Sequence, residues 1–253
     1  MILKQILEQK KAEIERLQAL DINKLSRDRV DFLAAIIEAK KNKGAIIAEL
    51  KSKSPSEGVI EGNYNPVEIA KAYEKGGACA LSILTDERFF AGSFEHISEV
   101  KAAVSLPVLC KEFIIDEKQI YQAAASGADA CLLIVRILSD QQLKHFIHTL
   151  ERLNMTALVE VFDENEMERS LQAGAKLIGV NNRNLDTLEM DMGNIERLSK
   201  LVPEGVVLLS LSGAKTPKDL YHYASHYDGV LAGTALMRAD DKVEFLQQAL
   251  NLL

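Results

Sequence analysis

Apolar residues in this chain gather into short, nearly continuous runs instead of alternating with polar ones. The runs fall near residues 46–51, 78–84, 107–111, 129–135, 156–161, 176–181, 206–211 and 228–233. Strands covered on both faces read this way, so the pattern predicts a parallel sheet between layers of helix. The segments between the runs carry helix punctuation. Lys75-Gly76-Gly77-Ala78, Ser126-Gly127-Ala128-Asp129 and Ala173-Gly174-Ala175-Lys176 each put glycine where a helix ends and a strand begins. Asn65-Pro66 with Glu68, Ser139 with Gln142, Asp163 with Glu166 and Thr216-Pro217 with Asp219 read as helix starts. Eight such βα units, spaced by roughly 20 to 30 residues, predict an α/β chain closed into a single (β/α)8 TIM barrel. A doubly wound sheet is the second choice, but it usually brings a G-x-G-x-x-G turn after an early strand, and the chain has none. Residues 1–42 carry two amphipathic patterns, Ile2, Leu3, Ile6, Leu7, Ile14, Leu17 and then Val30, Leu33, Ile36, Ile37. They are expected to form a helical extension on the barrel, within one domain spanning 1–253.

Composition narrows the function classes. At 253 residues and 47% hydrophobic content the chain buries a large core. A formal net charge of -7 offers no broad footprint for a nucleic-acid backbone. The longest apolar runs fall far short of the ~20 residues of a membrane span. Lys4, Glu8, Lys10, Lys11, Glu13 and Glu15 interrupt the apolar N-terminus, so no secretion signal is read there. Cys79, Cys110 and Cys131 lie in apolar runs without C-x-x-C spacing, which suits a reducing compartment. The expectation is a cytoplasmic monomer. His222 and His226 are four apart but lack a third ligand nearby, so no metal is expected.

Charge at the strand ends supplies the candidate chemistry. In Ile46-Ile47-Ala48-Glu49-Leu50-Lys51-Ser52-Lys53-Ser54-Pro55-Ser56, alternation puts Glu49, Lys51 and Lys53 on one face, and Pro55 stops the strand. A barrel of this class works at the C-terminal ends of its strands. Lys111, Glu160 and Asn181 stand at three other such ends, each closing an apolar run. Burial disfavours the charged forms and proximity favours them, so acid–base pairs there can exchange protons near neutral pH. Ser210-Leu211-Ser212-Gly213-Ala214 and Leu231-Ala232-Gly233-Thr234 each put a glycine and a hydroxyl at a strand end. They read as a phosphate cradle with Lys51 beside it, or simply as tight turns. Phe89 and Phe90 stand in the polar turn Thr85–Gly92, and Phe113 follows Lys111 at same-face spacing. With Leu132 they form either core or a slot for a flat ring.

Taken together, these residues resemble the indole-3-glycerol phosphate synthase family along essentially the whole chain. The most specific elements are Ile47–Ser56, Ser82-Ile83-Leu84-Thr85 with Phe90 and Gly92, Lys111-Glu112-Phe113, Leu158-Val159-Glu160-Val161, and Asn181-Asn182-Arg183-Asn184-Leu185. The resemblance implies decarboxylating, dehydrating ring closure of 1-(2-carboxyphenylamino)-1-deoxyribulose 5-phosphate, without a cofactor. It implies Lys111 as general acid, Glu160 as base and Lys51 as proton donor and phosphate contact, with Glu49 and Asn181 orienting the lysines and sugar. Arg183 would face the anthranilate carboxylate; Phe90, Phe113, Leu132 and Leu231 would wall the ring; Ser212, Gly213, Gly233 and Thr234 would hold the phosphate. The related isomerase of the same pathway would call for Cys and Asp in place of Glu49, Lys51 and Glu160. One departure stands out: Leu211 replaces the family's glutamate before Ser-Gly. A weakened or silent barrel that only binds an anionic aromatic sugar phosphate is therefore the alternative.

Overall fold

In the computed structural model, which describes residues 2–17, 20–42 and 44–252, eight of the ten strands close a barrel. In chain order the strands are β1 (Ile46–Leu50), β2 (Lys53–Ser54), β3 (Gly58–Val59), β4 (Ala80–Leu84), β5 (Val108–Lys111), β6 (Ala130–Ile134), β7 (Thr156–Val161), β8 (Leu177–Asn181), β9 (Val207–Leu211) and β10 (Gly229–Ala232). The closed order is β1-β10-β9-β8-β7-β6-β5-β4, every pair parallel. All eight expected runs thus form barrel strands.

One expectation needs correcting. The first strand stops at Leu50, and Lys53 belongs to a small antiparallel hairpin, Lys53–Ser54 against Gly58–Val59, with Pro55 in its turn. Lys53 therefore does not share the face of Glu49 and Lys51, because the chain leaves the barrel direction between them.

The continuous apolar runs divide by alternation. Ile46, Ala48 and Leu50 of β1 pack into the shell between strands and helices, whereas Ile47 joins Leu109, Leu158, Leu177 and Leu209 inside the barrel. That register sends Glu49, Lys111, Glu160 and Asn181 inward at the top. The helix starts form as read: Asn65, Ser139, Asp163 and Thr216 each accept a backbone N–H of the following turn, with reciprocal capping boxes at Ser139–Gln142 and Thr216–Asp219. Gly77, Gly127 and Gly174 end their helices at φ of 96°, 92° and 87°, where a Cβ would be strained.

The two N-terminal helices close opposite ends. Phe32–Asn42 inserts Phe32 and Ile36 beneath Ala45, Ile47 and Ala80, forming a floor. Its approach is pinned by Val30 N–H donating to Asp129 Oδ1 (2.9 Å), and Asp129 Oδ2 also accepts from Val108 N–H (2.8 Å) and pairs with Lys101 (2.7 Å). Ile2–Ile14 lies across the other end and buries Leu3, Ile6 and Lys10.

Candidate active site

The inward charges at the strand ends form one connected chain of contacts. Lys51 Nζ donates to Glu49 Oε1 at 2.7 Å, and Lys111 Nζ stands 3.8 Å from Glu49 Oε2 and 3.6 Å from Glu160 Oε2. On the far side Asn181 Nδ2 donates to Glu160 Oε1 at 2.8 Å, while Asn181 Oδ1 accepts the Arg183 backbone N–H at 3.0 Å. Glu49, Glu160 and Asn181 are buried and the two lysines nearly so. Burial pushes the Glu49 carboxyl up, but Lys51 and Lys111 outweigh it and hold the group below the usual carboxylate value. Lys111 is thus placed between two carboxylates, which is the geometry of a relay able to give and recover a proton.

These groups face a cavity of about 780 Å³. The residues that the family resemblance assigns line it: Glu49, Lys51, Lys111, Glu160, Asn181 and Arg183; Phe90, Phe113, Leu132 and Leu231; Ser212, Gly213, Gly233 and Thr234; Phe89 and Lys53, also read as candidates, do not. At the apolar end the Phe90 and Phe113 rings lie 6.0 Å apart, centroid to centroid. At the other end Ser212 and Gly213 take φ of 66° and 101°, and Gly233 precedes the short helix Thr234–Arg238. A Cβ on Gly233 would meet Glu49 Oε1 and lie 2.9 Å from Lys51 Nζ, so glycine there lets the ion pair rest against the β10 backbone. Lys51 therefore stands where an anion held by these strand ends would meet it.

Leu211 behaves differently from its neighbours. It is buried and does not line the cavity; its side chain folds into the space left by Gly179 on β8, where a Cβ would lie 2.5 Å from Leu211 Cδ1. Its apolar bulk fills the barrel beneath the charged rim.

Several cavity residues escaped the sequence reading. Ile2, Leu3 and Ile6 of the first helix form its roof, and Leu185, Leu188, Met190 and Met192 of the loop after β8 form one side. Glu57 in the β1 loop pairs with Arg238 at 2.8 Å. Lys10 is buried against Asp86 (2.8 Å), Glu112 (3.0 Å) and Glu13 (2.8 Å). Burial favours its neutral form, but these carboxylates prevail and keep it an ammonium. The available signal was spacing: Leu3, Ile6 and Lys10 fall at i, i+3 and i+7, one helical stripe ending in a charge. Among the described residues no group of three or more His, Cys, Asp or Glu is arranged to hold a metal.

Barrel and rim together define a protein of the TIM-barrel class with a charged cavity at the C-terminal ends of its strands. Residues 3–249 match the family model described as indole-3-glycerol phosphate synthase. The chain belongs to the indole-3-glycerol phosphate synthase family. The relative of that name from Rippkaea orientalis is 44% identical over 257 residues, covering 96% of this chain and 87% of that one. The one from Endomicrobium trichonymphae is 44% identical over 241 residues, covering 95% and 92%. Among solved structures, the tryptophan synthase alpha chain from Legionella pneumophila subsp. pneumophila aligns at a TM-score of 0.63 and 15% identity, covering 87% of this chain and 96% of that one. Thiamine phosphate pyrophosphorylase from Pyrococcus furiosus aligns at 0.63 and 14%, covering 84% and 96%. The two structures share the fold alone. Nothing in these comparisons supports the silent-barrel alternative.

Proposed function

We propose that this chain is a carbon–carbon lyase closing 1-(2-carboxyphenylamino)-1-deoxyribulose 5-phosphate to indole-3-glycerol phosphate, acting as a cytoplasmic monomer. The observation that carries the reading is Lys111 Nζ held between Glu49 and Glu160 over a cavity apolar at one end and glycine-lined at the other. The aromatic carbon bearing the carboxylate attacks the ketone carbon, and Lys111 gives a proton to the ketone oxygen as it becomes a hydroxyl. The carboxylate leaves as carbon dioxide, returning its bond pair to the ring. Lys51 then protonates the departing hydroxyl while Glu160 takes the proton lost with it, forming the indole double bond and water. Asn181, hydrogen-bonded to Glu160, fixes the base, and Glu49 holds both lysines. Arg183 meets the substrate carboxylate, the Phe90–Phe113 pair and Leu132 and Leu231 enclose the ring, and Ser212, Gly213, Gly233, Thr234 and Lys51 hold the phosphate.

The test is direct: the protein is given that substrate and indole fluorescence is followed. Product formation is expected, and binding without product at high protein concentration would favour the binding-only barrel. No helix among the described residues is long and apolar enough to cross a membrane; light scattering checks the monomer.

A further inference from the structure

Lys10 stands outside the proton relay, yet it is among the most buried charges described in the protein, 2% exposed. It lies on the same stripe as Leu3 and Ile6, in the helix that roofs the cavity. Its two buried partners each hold one side of the aromatic wall. Asp86 accepts the Phe89 N–H at 2.7 Å through Oδ1 and caps the short helix Glu87–Phe90, which ends in the wall residue Phe90. Glu112 accepts the Phe113 N–H at 2.7 Å and the Thr85 hydroxyl at 2.8 Å, and it follows Lys111 directly in the chain. One ammonium therefore ties the roof helix to the backbone behind Phe90, to the backbone behind Phe113 and to the strand end that carries Lys111. An ordinary amphipathic helix would place an aliphatic residue there. With Lys10 gone, the buried Asp86 and Glu112 carboxylates would face each other and Glu13 with no cation between them, which separates elements rather than joining them.

We propose that Lys10 is a positioning residue for ring recognition: it sets the Phe90–Phe113 slot and seats the roof over it, acting through Asp86 and Glu112. The assignment rests on the aromatic substrate proposed above. Tight seating of the ring is then conditional on the roof helix being docked, because the same cation serves both.

Lys10→Met is expected to raise KM about tenfold while kcat stays within about threefold. In hydrogen exchange the amides of residues 2–14 should lose protection while the barrel strands keep theirs. Lys10→Arg, which retains the cation, should return KM to within about threefold of the unmodified protein. If Lys10→Met does not fold, Glu112→Gln decides the matter, since it keeps Lys10 and its Asp86 partner while weakening the ties to Phe113 and Thr85; KM should rise about fivefold. Unchanged KM in whichever variant decides, or KM and kcat failing together with loss of barrel protection, overturns the proposal. Absence of turnover in the unmodified protein would instead remove the substrate reading, and roof exchange in Lys10→Met would still report on the tie.

Discussion

Lys111 and Glu160 are separable by mutation because each has a neutral replacement of similar shape. Lys111→Met and Glu160→Gln are each expected to lower kcat by about a hundredfold or more, with cooperative melting retained. Stopped turnover with an intact circular dichroism melt would place both in the chemistry, and retained turnover would remove them from it. Leu211 requires two experiments. Its packing over Gly179 means that Gly179→Ala should cost about 1–3 kcal/mol by crowding, and much of that loss should disappear in the Gly179→Ala, Leu211→Ala pair relative to Leu211→Ala alone. Leu211→Glu is expected to raise kcat/KM by turning the side chain out of the space over Gly179 into the cavity, where a carboxylate would add a contact for substrate hydroxyls and balance lysine charge. No gain, with ring closure already fast, would show that the position is not limiting. These two outcomes separate the packing role of the side chain from any role at the rim.

Asp129 joins three separate segments. It receives Val30 from the floor, Val108 from β5 and Lys101 from a neighbouring helix, so Asp129→Ala should cost about 3 kcal/mol and lower Tm by about 10 °C, read by thermal melting. The barrel strands and most helix ends were legible beforehand, because continuous apolar runs, capping side chains and glycine termini are local signals. The hairpin Lys53–Val59 was not, since two-residue strands leave no periodicity and only Pro55 hints at a turn. The first helix was legible as a helix but not as a roof, because amphipathicity names an apolar face without naming what that face meets. The strand-end residues of the site were visible through charge emerging from apolar runs. Lys10 was hidden among the ordinary charges of an N-terminal helix, and its three carboxylate partners come from three separate segments, one of them its own helix.

The acid dependence that Glu49 contributes has a definite sign, opposite to that of Glu112 and Glu166, whose carboxyls burial pushes up. The Glu49 carboxyl titrates below the usual value of 4.5, so the unfolded chain takes up protons first. The stabilisation from Glu49 is therefore complete above the unfolded value and is lost as pH falls through the folded one. Denaturant unfolding of the unmodified protein and Glu49→Gln should differ most above about pH 5 and converge in stronger acid. The roof and the floor bear on a different property. Phe32 and Ile36 stopper the barrel from below, so among the described residues the cavity faces away from that end, towards the side that the roof helix overhangs. Each turnover must clear the threshold that Ile2, Leu3 and Ile6 overhang before the next molecule can pass it.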